Sequence, residues 1–277
     1  MPNDIDLKAA INAISDVVQN RPRPLREFDQ IYMKSGDMVM QSEFVSRWAD
    51  GKSLAFIGDG DAISVCTAYL SAKGILPTGP SRIVVYDFDE RIVSAVKRFA
   101  DQERLQNLDA VLYNCLDAFP DLGTYDCVYT NPPWGASNGG ESVKVFLQRG
   151  IEALRRPGEG LVVIADDPDL DWPKQVLHGV QWFGLEHGFY VSRMMPRLHS
   201  YHLDDAPELR SCNLMFSSLP GSAPALRSEE IRDPVQLEHF YGRSASARVR
   251  YVRERKRVDY GRANTSEYEF ELLEEES

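Results

Sequence analysis

The chain has 277 residues, 43% of them hydrophobic and 10% aromatic, which suffices for one large packed core and excludes global disorder. Its net charge of −11, from 42 acidic and 31 basic residues, runs against the basic field that a duplex-binding surface needs and favours a small cationic substrate. No apolar run approaches membrane-spanning length, and the first twenty residues carry Asp4, Asp6 and Asp16 rather than a basic leader. Cys66, Cys115, Cys127 and Cys212 lack paired spacing, so free thiols in a reduced cytoplasmic protein with no membrane partner are expected.

Taken in chain order, apolar residues from Ile5 to Val18 recur at helical spacing and predict an amphipathic helix over 4–19. Arg21-Pro22-Arg23-Pro24 stops it, because each proline removes a donor and restrains the residue before it. A second short helix is expected over 39–49, ended by Asp50-Gly51. Short apolar runs then alternate with helical stretches, giving strands at 54–57, 83–86, 110–113, 127–130 and 160–165 and helices at 63–73, 90–105 and 143–154. Doubly buried strands alternating with helices specify an α/β fold with a parallel, Rossmann-like sheet. Runs at 189–195 and 212–216 suit strands that close the sheet. Gly221 to Pro224 reads as a linker before a helix near 235–241, an Arg-rich alternating strand over 248–258 and an acidic end, 267–277, expected to fray. The chain thus divides into an N-terminal helical segment (1–50), a Rossmann-like catalytic domain (51–220) and a C-terminal extension (221–277).

Ligands of open α/β sheets sit beyond the carboxyl ends of the strands. After the first strand, Gly58 and Gly60 permit a tight turn and a close approach to a ligand ahead of a helix N-terminus. A methyltransferase loop commonly reads acid-x-Gly-x-Gly-x-Gly; here the first acid is Phe56 and the last glycine Ala62. Asp59 and Asp61 would attract an ammonium and repel an amino acid's carboxylate, favouring decarboxylated S-adenosylmethionine over S-adenosylmethionine, or a polyamine lying nearby. Asp87 ends the second strand, placed to accept both ribose hydroxyls, whereas Asp89 suits the N-cap of the next helix. Asn114 and Asp117, at the third strand tip, are candidates to receive an adenine amino group, with a turn cap as the equal alternative for Asp117. After the fourth strand comes Asn131-Pro132-Pro133-Trp134. The prolines hold an extended turn whose carbonyls are free to face a ligand. The Asn131 amide oxygen and the Pro132 carbonyl can accept from an amine and align its lone pair, while Trp134 offers a flat wall for a base or a cation.

That tetrapeptide resembles the motif of amino-group DNA methyltransferases. A wider resemblance, to branched-chain polyamine synthases, is carried by Arg21 to Gln30, Gly58-Asp59-Gly60-Asp61, Asp87-Phe88-Asp89-Glu90-Arg91, the proline pair and Phe146 to Leu154. It implies the class I methyltransferase/aminopropyltransferase fold and transfer of aminopropyl groups from decarboxylated S-adenosylmethionine to a secondary amine of spermidine. It also implies a cofactor pocket shaped by Asp29, Gln30, Asp59, Asp87 and Asp117, with neighbouring acids recognising the amine. The chain departs from that family at three points. Gly60 interrupts a run of three acids, Asn131 replaces an acid and cannot serve as a base, and the family's N-terminal winged-helix module has no counterpart unless residues 1–20 are its remnant. Alkyl transfer to a neutral amine would then depend on alignment.

Other features stand further from the chemistry. Glu141 follows a stretch, Gly135 to Gly140, that reads as a mobile cover; amine binding and a helix-dipole role are its two readings. Asp166, Asp167, Asp169 and Asp171 cluster after the fifth strand and read as surface acids, with a cationic-amine subsite the lesser alternative. His199 and His202 with Asp204 and Asp205 have weak metal-ligand spacing, so a satisfied loop histidine is expected and no metal is assigned. The Arg248 to Arg257 run reads as an edge strand facing the acidic tail or a second subunit of a homo-oligomer, with nucleic acid the lesser alternative. Together these residues point to alkylation of an amine. Aminopropyl transfer ranks first, N-methyl transfer from S-adenosylmethionine to an amino group of a nucleobase or other substrate second, and a non-catalytic cofactor-binding interaction module third.

Overall fold

The computed structural model describes residues 5–204, 206–242, 249–255 and 267–273. Asp6 caps helix α1 (Leu7–Asn20) by accepting from the Ala9 N–H at 3.0 Å, and Arg21 leaves the helix in the extended conformation that a following proline imposes. A 3-10 turn (Arg26–Phe28) and α2 (Ser35–Trp48) follow. Strands β1 (Ser53–Ile57), β2 (Arg82–Asp87), β3 (Leu108–Leu112), β4 (Tyr125–Thr130) and β5 (Leu154–Ala165) run parallel, connected in part through α3 (Ile63–Ala72), α4 (Glu90–Glu103) and α5 (Glu141–Ala153). Helix α6 (Asp171–Glu186) leads to β6 (Phe189–Ser200) and β7 (Arg210–Ser218). The seven strands lie in the order β3-β2-β1-β4-β5-β7-β6, with β7 antiparallel to both neighbours.

The strand order reverses at β1, where Phe56 pairs with Val85 of β2 on one side and Tyr129 of β4 on the other. Parallel crossovers are right-handed, so the helices after β1 and β2 cover one face and α5 covers the other. The loops leaving β1 and β4 therefore part over a crevice, the position where open α/β sheets bind ligands.

Three elements differ from the sequence reading. Helix α6 was not expected, since its apolar positions are interrupted by Pro173, Gly179 and Gly184. Gly184 is there for close approach, because a Cβ would come within 2.5 Å of the Phe216 ring on β7. The helix expected over 235–241 is a four-residue turn, α7 (Pro234–Leu237). The acidic end does not simply fray: Tyr268–Leu272 forms strand β9, antiparallel to β8 (Val249–Glu254). Arg253 meets Glu271 at 2.6 Å and Arg255 binds Glu269, so the Arg-rich strand does face the acidic tail. Arg248, Arg257 and Val258, and the last tail residues 274–277, lie outside the described residues. Among the described residues no helix is long and apolar enough to cross a membrane, and all four cysteines are free and buried.

The segment after β7 is tied back by one guanidinium. Arg149 of α5 is fully buried; it donates to the Cys115 carbonyl at 2.7 Å, to Glu152 at 2.8 Å, to Ser228 Oγ at 2.8 Å and to the Glu229 carbonyl at 2.8 Å. Removing a partner from a buried ion pair strands the other charge. Arg149→Ala is therefore expected to lower unfolding stability by about 3–5 kcal/mol, read by urea denaturation against the wild-type chain.

Candidate active site

Beyond the carboxyl ends of the strands opens a cleft of about 790 Å³, counted out to its mouth. Its floor is the loop from Ile57 to Asp61, the tip of β2 and the Pro-Pro turn; Phe28 to Tyr32, Tyr201 and Tyr241 form its walls. Four aspartates, Asp29, Asp59, Asp61 and Asp87, are among the lining residues, and no Lys, Arg or His is.

Gly58 takes a left-handed backbone (φ 74°), its N–H bound to the Tyr86 carbonyl at 2.8 Å, and Ala62 keeps the left-handed turn (φ 62°) where a glycine is customary. Asp59, although it lines the cleft, has its carboxylate engaged by helix α3. It accepts from the Ile63 N–H at 3.0 Å and the Ser64 N–H at 3.1 Å and binds the Ser64 hydroxyl, so it serves the N-terminus of α3. Asp87 gives one carboxylate oxygen to the Asp59 N–H at 3.0 Å and the other to the Asp89 N–H at 2.9 Å, joining the loops after β1 and β2. Burial, reinforced by the Asp89 charge, pushes its pKa up to about 7. Asp89 caps α4 through the Arg91 N–H at 3.0 Å and pairs with the Arg91 guanidinium, in keeping with the capping role read from the sequence. Gln30 spans between the Leu25 N–H (2.8 Å) and Asp89 (3.2 Å).

On the other side of the crevice Asp61 accepts from the Met33 N–H and from Asn131 Nδ2, each at 2.6 Å. Burial raises its pKa, opposed by these donors and by the nearby Arg21 charge. Asn131 Oδ1 accepts from Trp134 Nε1 at 3.3 Å, and the Trp134 ring stands edge-on to Tyr201 with centroids 5.0 Å apart. The amide expected to grip the amine is thus already engaged at both ends, by the Asp61 carboxylate and the Trp134 indole. Tyr201 leads into a buried chain: its hydroxyl meets Ser211 Oγ at 2.8 Å, Ser211 meets His199 Nδ1 at 2.8 Å, and His199 Nε2 meets Gln41 Oε1 at 2.9 Å. An amide oxygen only accepts, so Nε2 carries the proton and Nδ1 accepts from Ser211. Burial lowers the His199 pKa to about 4. His199 is satisfied as expected, though on strand β6 rather than in a loop.

Several nominated residues lie outside the cleft lining. Asp117 is taken up by the C-terminal strand, meeting Tyr251 Oη at 3.2 Å and Arg250 at 3.5 Å, and Asn114 donates to the Arg250 carbonyl at 2.7 Å. Glu141 pairs with Lys144 at 2.6 Å. Of the acids after β5, Asp166 accepts from the Arg197 N–H at 2.8 Å, Asp171 pairs with Lys174 at 3.5 Å, and none lines the cleft. The Gly135 to Gly140 stretch is a closed turn, with Gly140 N–H on the Gly135 carbonyl at 2.9 Å and Asn138 donating to Ser142 Oγ at 2.9 Å. His202 and Asp204 are exposed, Asp205 lies outside the described residues, and no metal-holding cluster occurs among the described residues. Tyr113, Cys115, Tyr201 and Tyr241, conversely, line the cleft without belonging to any sequence motif.

Residues 9–277 match the branched-chain polyamine synthase A C-terminal domain. The chain belongs to that family. It is 28% identical over 152 residues to the N(4)-bis(aminopropyl)spermidine synthase of Thermococcus kodakarensis, covering 53% of this chain and 40% of that one. It is 26% identical over 187 residues to the protein of the same name from Thermus thermophilus, covering 66% and 50%. The matched region spans half or less of these relatives' own length. The fold is similar to the crystal structure of the Thermus thermophilus branched-chain polyamine synthase in complex with N4-aminopropylspermidine and 5′-methylthioadenosine, with TM-score 0.68 and 21% identity over 82% of this chain and 68% of that chain. It is also similar to a candidate RNA methyltransferase from Pyrococcus horikoshii, with TM-score 0.56 and 16% identity over 76% of this chain and 99% of that chain. The class I methyltransferase-like architecture expected from the family resemblance is the one observed. Its signature segments have physical roles here: Gly58 sits under the Phe146 ring, where a Cβ would approach to 3.2 Å, and Arg149 braces the C-terminal segment.

The Asp61–Asn131 contact makes a sharp prediction. In Asn131→Asp two carboxylates would meet at a contact now 2.6 Å long and would have to share a proton. The folded variant then binds more protons than its unfolded chain above the ordinary carboxylate range, so its stability falls as pH rises. A loss on the order of 2 kcal/mol is expected at about pH 8, shrinking toward about pH 4.5, in urea unfolding against wild type.

Proposed function

We propose that this chain is an aminopropyltransferase that moves the aminopropyl group of decarboxylated S-adenosylmethionine onto a polyamine nitrogen. One observation carries the reading: the cleft is lined by four aspartates and by no basic side chain. A sulfonium and an ammonium both suit such a field, whereas an α-carboxylate or a phosphate would meet carboxylates of its own sign. The names of the relatives, and the ligands of the Thermus thermophilus structure, support the same chemistry.

Each side of the crevice then has a task. Asp87, with a lone pair free on each oxygen after its two backbone bonds, receives the ribose hydroxyls. Phe88, Tyr113 and Cys115 wall the base. The faces of Trp134 and Tyr201 attract the cationic polyamine, and the Pro132 carbonyl accepts an N–H so that the neutral nitrogen presents its lone pair. The donor supplies an electrophilic methylene carbon on sulfur, with a neutral thioether as leaving group. As the nitrogen lone pair forms the new C–N bond, the C–S electron pair leaves on sulfur, and the proton released from nitrogen passes to Asp61. A buried carboxylate with a raised pKa is the stronger base for that step.

Calorimetry with decarboxylated S-adenosylmethionine and with S-adenosylmethionine should show preference for the decarboxylated donor, and mass spectrometry should show spermidine gaining an aminopropyl group. Tighter binding of the carboxylated form would instead favour methyl transfer. Asp61→Asn is expected to lower kcat by about 10²–10⁴-fold while leaving donor affinity nearly unchanged.

A further inference from the structure

Five tyrosines line the cleft, and four of them have partners for their hydroxyls. Tyr32 donates to the Pro22 carbonyl at 2.9 Å, Tyr113 donates to the Asp117 carbonyl at 2.9 Å, Tyr86 binds Asp121 and Tyr125, and Tyr201 meets Ser211. Tyr241 differs. It is 5% exposed, and its buried hydroxyl has no hydrogen-bond partner among the described residues. The groups whose charge reaches it are Cys115, Asp87 and Asp117, at the tips of β2 and β3.

The ring is packed among three other aromatic rings. It stacks on Phe88 at 5.0 Å and 19°, and stands edge-on to Phe28 at 5.2 Å and to Phe240 at 4.9 Å. The backbone before it is pinned by Ser142 Oγ, which donates to the Phe240 carbonyl at 2.6 Å, and by Asn138, which donates to the Glu238 carbonyl at 3.2 Å. A buried hydroxyl without a partner carries a cost that phenylalanine at this place would not. Its position beside the ribose-accepting Asp87 marks where a ligand would relieve that cost.

We infer that Tyr241 is a nucleoside-recognition residue whose hydroxyl donates to a ring nitrogen of the bound purine. The inference rests on the proposed function, in which the cleft takes an adenine nucleoside. The carboxylates around Tyr241 only accept when ionised, and in that form they suit ribose hydroxyls and cannot satisfy the acceptor nitrogens of a purine. A phenol supplies the missing donor without adding positive charge to a cleft that takes a sulfonium. Burial holds the phenol protonated.

The test is calorimetry of 5′-methylthioadenosine and its 1-, 3- and 7-deaza analogues on wild type and on Tyr241→Phe, with the melting temperature of each unliganded protein. The substitution removes the hydroxyl and keeps the stacked ring. Expected are about tenfold weaker binding of 5′-methylthioadenosine by the variant and an unliganded melting temperature equal to or above wild type. One deaza analogue should lose a similar factor on wild type and nothing further on the variant. Equal affinity for both proteins would overturn the assignment, and tighter binding by the variant would make the hydroxyl an obstruction. A loss of affinity accompanied by a lower melting temperature would assign Tyr241 a structural part instead. Absence of any binding by wild type would overturn the nucleoside reading itself.

Discussion

Asp61 reaches across the crevice to Asn131 at 2.6 Å, joining the loop after β1 to the turn after β4 at the point where strand order reverses. A buried carboxylate is tolerable only when donors surround it, and Asp61 has two, the Asn131 amide and the Met33 N–H. The amide at 131 is therefore the complement of the acid at 61. It directs its other end to Trp134, Trp134 abuts Tyr201, and Tyr201 is held through Ser211 by a neutral His199. One hydrogen bond thus links the buried acid to the aromatic wall on the β4 side of the cleft.

Asp87 performs the corresponding work on the β2 side of the crevice, where the nucleoside is proposed to lie. Its two oxygens gather backbone N–H groups from two loops, and the desolvation that raises its pKa to about 7 follows from the same enclosure. The fold accepts the cost of several buried carboxylates in one place, and it offsets that cost with backbone donors, with the N-termini of α3 and α4 and, at Asp89, with the Arg91 guanidinium. The result is a cleft lined by aspartates and by no basic side chain, the feature on which the proposed preference for a cation rests. Arg149 makes the same argument in reverse: the buried guanidinium, fully partnered by Glu152 and by carbonyls, is the fastener that holds the segment carrying Tyr241 against the cleft.

Much of this was legible in the chain itself. The apolar runs at Leu54 to Ile57 and Ile83 to Tyr86 announce strands because doubly buried parallel strands have no polar face to alternate. The glycine turn, Asp87 and the Pro-Pro-Trp turn are recognisable because they sit where those runs end. What was missed follows from longer-range causes. Helix α6 is interrupted by Gly184, which makes sense only against Phe216, 32 positions further on. Strand β9 looks like a charged tail until Arg253 and Arg255 are placed opposite its glutamates. Asp59 and Asp61 read as a matched pair, yet one serves a helix N-terminus and the other an amide across the crevice.

By itself, then, the sequence determined the alternating architecture, the strand tips at which chemistry could occur and the excess of acid that fits a cationic ligand. Those properties depend on local spacing and composition. Only the tertiary structure decided which acids face the cleft, that Asp117 and Glu141 are occupied elsewhere, and that Tyr241 arrives from the C-terminal segment with a hydroxyl to share. A carboxylate or a phenol acquires its role from the donors and acceptors that surround it once buried. Here such neighbours lie as far apart in the chain as Tyr241 and Asp87, 154 residues.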